Sequence, residues 1–223
     1  MNTVSVRGQP ISLFRLAAVA LVCVAAVSVT FVSVASDIET PPQLFSDYYL
    51  NVWDPGHAIL EGASPLRDLD AGSPNVSVYP PAAQVATLPF ALLPYRVGLV
   101  FWLALLGAAI VLALRLCGVS DWRVIAVALV SPPVLSGLAY ANVALLVTLA
   151  VALAWAWRDR HRRVAIVVGV VVATRVFVWP LLVWLLITGR RRAAIESGVV
   201  ALVVTVIGWS AGRLSGFAGS AIS

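Results

Sequence analysis

Runs of apolar residues, several close to the length of a bilayer crossing, recur along this chain, and arginines gather at their ends. Five such runs cover 16–35, 97–116, 124–138, 142–157 and 193–209, and a sixth covers 164–188. A helix needs about 20 apolar residues to cross the hydrocarbon core. Overall 61% of residues are hydrophobic, 11% are charged and the mean hydropathy is +0.97, whereas roughly a quarter of a soluble domain is charged. In lipid, backbone polar groups must be satisfied within the protein, which leaves helices or closed barrels. Apolar runs this long predict an all-α, polytopic transmembrane helical bundle forming a single membrane domain over 1–223.

Charge placement predicts the topology. Arg7 and Arg15 precede the first run and acids follow it, which sets the N-terminus in the cytoplasm and 37–95 outside. Ser33-Val34-Ala35 resembles a signal-peptide cleavage site, but the run exceeds the usual ~7–15 apolar residues, so an uncleaved anchor is favoured. The stretch 79–94 carries Pro80, Pro81, Pro89 and Pro94 and fits a short interfacial or re-entrant helix. The span over 97–116 places Trp102 near its outer end as an interfacial aromatic. Pro132-Pro133 must kink or end the run over 124–138. The arginine-rich stretches 158–163 and 190–192 mark the cytoplasmic side. Since 164–188 lies between two such stretches and is too short for two crossings, it is expected to form a hairpin of short helices bent near Trp179-Pro180, with Arg175 near its tip. The expectation is therefore about five full spans plus one re-entrant or short-helix hairpin in the inner or plasma membrane.

Several function classes lose support. The net charge of +5 comes from 15 arginines and no lysine, and their positions at run ends point to membrane orientation; no nucleic acid partner is expected. Cys23 and Cys117 sit in or beside apolar runs as small hydrophobes. No His/Cys/carboxylate set has metal-ligand spacing, and no glycine-rich phosphate loop is present. Neither a metal nor a soluble cofactor is expected.

The polar stretch 46–79 carries the chemistry. Seven of the ten acidic residues fall between Asp37 and Asp70. Asp47, just after the first run and flanked by Tyr48, Tyr49 and Trp53, stays near the headgroups. An ionised carboxylate there can accept a proton from an incoming hydroxyl. An intramembrane arginine is costly to leave unpaired and is a functional candidate by default; Arg175 can neutralise a lipid phosphate. His57, Tyr79 and Asn142 are candidate substrate contacts. Asp54 and Glu61 rank below Asp47, because each reads first as part of a turn or helix end.

The motifs occur in an order that resembles the polytopic class C glycosyltransferases of family 87. They are Asp47, then Leu60-Glu61-Gly62-Ala63-Ser64-Pro65, then Tyr79-Pro80-Pro81, then Leu88-Pro89 and Leu92-Leu93-Pro94, then Asn142 and Arg175 with Pro180. Three elements depart from the family pattern: Leu66 replaces a tyrosine, Ala139-Tyr140 replaces Gly-Gln ahead of Asn142, and Arg175 stands where lysine is usual. A planar guanidinium is not equivalent to an ammonium.

The resemblance implies transfer of a mannosyl (hexosyl) or pentosyl unit from a polyprenyl-phosphate sugar to an extracytoplasmic glycan or glycolipid. Asp47 would be the catalytic base and Arg175, Asn142, Tyr79 and His57 the substrate-binding set. The lipid-linked donor acts as substrate, with membrane lipid as surroundings. Relatives are expected to be longer, so the chain corresponds to the N-terminal part of such a fold. The alternative is a non-catalytic truncated paralogue or an accessory membrane subunit.

Overall fold

In the computed structural model, which describes residues 44–64 and 79–220, prolines and arginines punctuate a chain of helices and no strand occurs among the described residues. The anchor or signal peptide expected over 16–35 lies outside them, as does 65–78. The described residues belong to one unit, Gln43–Ser223.

A short α1, Ser46–Tyr48, continues through a π-helical turn, Tyr49–Trp53, into α2, Asp54–Leu60. Next comes α3, Pro81–Ala91, opened by Pro80-Pro81. Proline at the first helical position sacrifices only an N–H that has no intrahelical partner. The long α4, Tyr95–Leu116, follows Pro94. Asp121 starts α5, Trp122–Leu129, by accepting the Arg123 backbone N–H at 2.8 Å. Pro132-Pro133 opens α6, Pro132–Ala139, and the α5–α6 pair is bent by 55°, as the prolines predict. Then come α7, Ala144–Ala156, and α8, His161–Thr174. A 3-10 turn, Val176–Val178, leads to α9, Pro180–Ile187, and α10, Arg191–Ser220, closes the described chain.

Five full spans are not what these helices provide. Among the described residues only Tyr95–Leu116 and Arg191–Ala211 are long and apolar enough to cross a membrane, with a third span if the bent α5–α6 pair counts as one. At 1.5 Å per residue, the 13 residues of α7 reach about 20 Å, short of the ~30 Å core. The run over 142–157 is shortened because its first residues form a turn and a cap. The hairpin expected over 164–188 does bring its ends together: Arg190 Nε donates to the Arg158 carbonyl at 2.8 Å, and its Nη2 pairs with Asp159 Oδ1 at 2.8 Å. Its break lies at Arg175, earlier than the predicted bend at Trp179-Pro180. Arg175 leaves helical geometry (φ −144, ψ 84) and the 3-10 turn follows.

Only 33% of the α4 apolar window and 22% of the α10 window are buried in the bundle. Val100, Phe101 and Leu105 of α4 and Leu202, Val206 and Ile207 of α10 are exposed. In water such apolar faces would drive association; lipid accommodates them. This is a membrane protein.

Small residues set the helix contacts. A Cβ built on Gly169 of α8 would lie 2.6 Å from Val200 Cβ and 2.7 Å from the Ser197 carbonyl of α10. That spacing permits the close approach typical of helix pairs in lipid, where packing rather than the hydrophobic effect holds helices together. Gly208 of α10 meets the Ala82 backbone of α3 in the same way. Gly169→Val is expected to separate α8 from α10 and cost about 1–3 kcal/mol, read as a lower melting temperature in detergent. Gly198→Ala, with nothing within 4 Å of the added methyl, should leave it unchanged.

One apolar cluster joins Tyr48, Val52, Leu99, Trp102, Leu106, Ile110, Ala141 and Leu145. Trp102 was expected at the membrane interface. It is instead 1% exposed, and its indole N–H donates to the Ala141 carbonyl at 2.9 Å. The aromatic ring is part of the support for the site.

Candidate active site

The segment carrying Asp47 is pinned to the α6–α7 junction through its backbone. The Phe45 N–H donates to the Ala139 carbonyl at 2.8 Å and the Asp47 N–H to the Tyr140 carbonyl at 3.1 Å. Phe45 (φ 64) and Ala141 (φ 56) are the two non-glycine residues in the left-handed region among the described residues. Each costs roughly 1–2 kcal/mol relative to the right-handed form, and both lie where this segment meets the junction. Strain of this kind tends to collect at functional sites. The Trp102 bond to the Ala141 carbonyl helps to hold it.

Asp47 is half-buried. Its Oδ2 accepts the Tyr79 hydroxyl at 3.0 Å, and its Oδ1 accepts the Asn51 Nδ2 at 2.9 Å. Asn51 stands four residues on, so the helical path returns its side chain to the same face. Burial pushes the Asp47 carboxyl above its ordinary range. The Tyr79 hydrogen bond, the Arg175 charge and the Asn51 hydrogen bond oppose that shift. Burial also pushes the Tyr79 phenol up to about 12, which keeps it a neutral donor to the carboxylate.

Arg175 lies with its guanidinium over the Tyr79 ring, 3.3 Å from the centroid. Its Nη2 is buried and has no hydrogen-bond partner among the described residues. A buried guanidinium nitrogen without an acceptor is costly. Tyr79 and Arg175 stand on the wall of a cavity of about 420 Å³ whose remaining lining is almost wholly apolar, including Val52, Phe90, Trp102, Leu146 and Val170. Asp47 is not on that wall; the Tyr79 hydroxyl connects the two.

Three of the five residues singled out in the sequence thus come together: Asp47, Tyr79 and Arg175. Two do not join them. The Asn142 Oδ1 accepts the Ala144 N–H at 2.7 Å and so starts α7. It shapes the turn whose Tyr140 carbonyl pins Asp47, and it does not line the cavity. His57 stacks on Trp53 at 4.3 Å. Its Nδ1 is buried without a hydrogen-bond partner among the described residues, and it too stays off the cavity wall. Sequence reasoning missed Asn51, although its position four residues after Asp47 in an otherwise apolar and aromatic stretch was a usable signal. Nothing in the sequence marked the Tyr140 and Ala141 carbonyls, because backbone acceptors carry no residue signature.

Among the described residues no group of His, Cys, Asp or Glu is arranged to hold a metal ion. No curated protein and no solved structure matches the chain. The family model described as Glycosyltransferase family 87 matches residues 78–218, more than half of the chain. The match includes Tyr79, Arg175 and the cavity lining apart from Val52, and begins after Asp47. On that match, together with the helical architecture and the arginine-ended cavity, the chain belongs to glycosyltransferase family 87.

Proposed function

We propose that this chain serves the transfer of a mannosyl or pentosyl unit from a polyprenyl-phosphate sugar to a hydroxyl of an extracytoplasmic glycan or glycolipid. The observation that carries this reading is the partnerless Nη2 of Arg175 at an apolar cavity, one side chain away from a half-buried carboxylate. The cavity suits the prenyl chain, and Arg175 suits the phosphate. Asp47 takes the proton from the acceptor hydroxyl as that oxygen bonds to the anomeric carbon. The bond between that carbon and the phosphate oxygen breaks, and polyprenyl phosphate leaves with one more negative charge, which Arg175 neutralises. Tyr79 holds the base and the cation in register, and Asn51 orients the second carboxylate oxygen. No metal or soluble cofactor takes part in this scheme. It sets residues 37–95 on the outer face of the inner or plasma membrane and the N-terminus in the cytoplasm, within one membrane domain.

The test uses the full chain reconstituted in lipid with radiolabelled polyprenyl-phosphate mannose and polyprenyl-phosphate pentose donors and a glycolipid acceptor. Label is expected in the acceptor from one of the two donors. Donor binding without any transfer would favour a non-catalytic or accessory role. Failure to bind either donor would overturn the reading.

A further inference from the structure

The end of the bundle away from Asp47 carries a second feature. The 14 residues of α8 span about 21 Å, with Arg175 at one end and His161 at the other. At the His161 end, the α7–α8 turn and the α9–α10 turn meet around a cleft of about 320 Å³ lined by Arg158, Asp159, His161 and Arg190–Arg192. The two carboxylates there are already engaged. Asp159 pairs with Arg190 at 2.8 Å and more loosely with Arg158 at 3.7 Å, and the Arg190 hydrogen bond holds its carboxyl below the ordinary range. Glu196 accepts from Arg192 at 2.9 Å and meets His161 Nδ1 at 2.9 Å. These contacts fix the two turns against each other without neutralising the patch. Seven arginines (158, 160, 162, 163, 190, 191 and 192) face two acids. Arg191 is exposed and has no partner among the described residues.

The level of the cleft is marked by tryptophans. Arg158 lies over the Trp155 ring at 4.8 Å, Arg163 over Trp157 at 5.6 Å and Arg190 over Trp184 at 5.8 Å, and Trp155 stacks on Trp184. Tryptophans are enriched at the headgroup layer and arginines in the loops beside it. Trp155, under the Arg158 guanidinium, and Ile187, just before the Gly189–Arg192 turn, are exposed, Ile187 by 78%, and offer apolar surface close in the chain to the cationic pocket. A soluble anion would use the charge alone. A membrane lipid uses both.

We propose that this cleft is a binding site for the phosphate headgroup of an anionic phospholipid, with Arg158 and Arg191 as its cations and its acyl chains along Trp155 and Ile187. The site stands apart from the sugar-transfer reading, and its test does not depend on catalysis. The full chain in mixed micelles is titrated with phosphatidylglycerol or phosphatidylcholine while tryptophan fluorescence is followed, at low and high salt. Phosphatidylglycerol is expected to bind at least tenfold more tightly, with the preference shrinking as salt rises. The double variant Arg158→Gln/Arg191→Gln should weaken it about 30-fold, from roughly fivefold per arginine at a membrane surface. The double variant Arg158→Lys/Arg191→Lys should restore most of the preference, and Arg175→Gln should leave it unaltered. An unchanged melting temperature in phosphatidylcholine shows that the glutamine variant is folded; should it unfold, Arg191→Gln alone is read, with about a fivefold loss expected. Equal binding of the two lipids, or no loss in the glutamine variants, would overturn the proposal. So would inorganic phosphate displacing phosphatidylglycerol at comparable concentration, which would assign the cleft to a free anion.

Discussion

Asp47→Asn is expected to lower sugar transfer about 10²- to 10⁴-fold, the usual contribution of a positioned general base, without lowering the melting temperature. The second half of that expectation follows from the sign of the shift at Asp47. Burial raises its folded-state pKa above the unfolded value, so this group's contribution to stability is full below the unfolded pKa and is lost as pH rises through the folded one. At neutral pH the ionised carboxylate is therefore a liability to the fold, and a neutral amide of the same shape removes it. The wild-type rate should fall on the acid side through a pKa above the ordinary carboxylate range. Tyr79→Phe deletes the largest of the influences that hold this pKa down, so it should move the acid limb to higher pH. A pH–rate profile of the two proteins checks this. A limb that stayed at the same pH in Tyr79→Phe would show that the base is some other group.

Arg175→Gln should act on donor binding. Removing one partner of a desolvated charge pair costs about 2–5 kcal/mol, equivalent to roughly 30-fold or more in the dissociation constant of a polyprenyl-phosphate donor. Asp47→Asn should leave that constant near the wild-type value, so the two variants separate as a binding defect and a turnover defect. Arg175→Lys tests the geometry. It keeps the charge but lacks the planar fork, and it also places the family's usual residue at this position. Intermediate binding is expected, because the ammonium loses the stacking on Tyr79. Donor affinity equal to wild type in Arg175→Gln would remove the phosphate contact from the scheme.

Much of this architecture is written in residue types with strong local consequences. The span expected over 97–116 is found as Tyr95–Leu116, because Pro94 can precede a helix but not continue one. Pro132-Pro133 yields the bend between α5 and α6 for the same reason. The arginine-rich stretches that argued for a hairpin after Arg163 are the ones joined by Arg190. What stayed illegible depends on partners distant in sequence. Nothing in the run over 142–157 reveals that Asn142 caps a short helix instead of facing a cavity. Trp102 was assigned to the interface because tryptophans favour it, yet the Ala141 carbonyl offered its indole a buried acceptor. The break at Arg175 rather than at Pro180 was hidden because proline is tolerated in the first helical turn, and the chain uses Pro180 there. Apolar length also overstated the number of spans: it reports how much chain lipid can accept, not where hydrogen bonding begins and stops.

The backbone bonds that seat Asp47 carry a consequence for biogenesis. Their acceptors, the Ala139 and Tyr140 carbonyls, follow the aspartate by more than ninety residues, and Arg175 comes later still. During synthesis the segment carrying Asp47 is made before α3 to α6. It acquires its seat only when the turn after α6 has formed, and its cation only when α8 has been made as far as Arg175. Closing so long a loop is entropically slow, so a nascent chain arrested before Arg175 holds the carboxylate but not the cation. On the proposed scheme, the pairing of base and cation is among the last features this bundle gains as it is made.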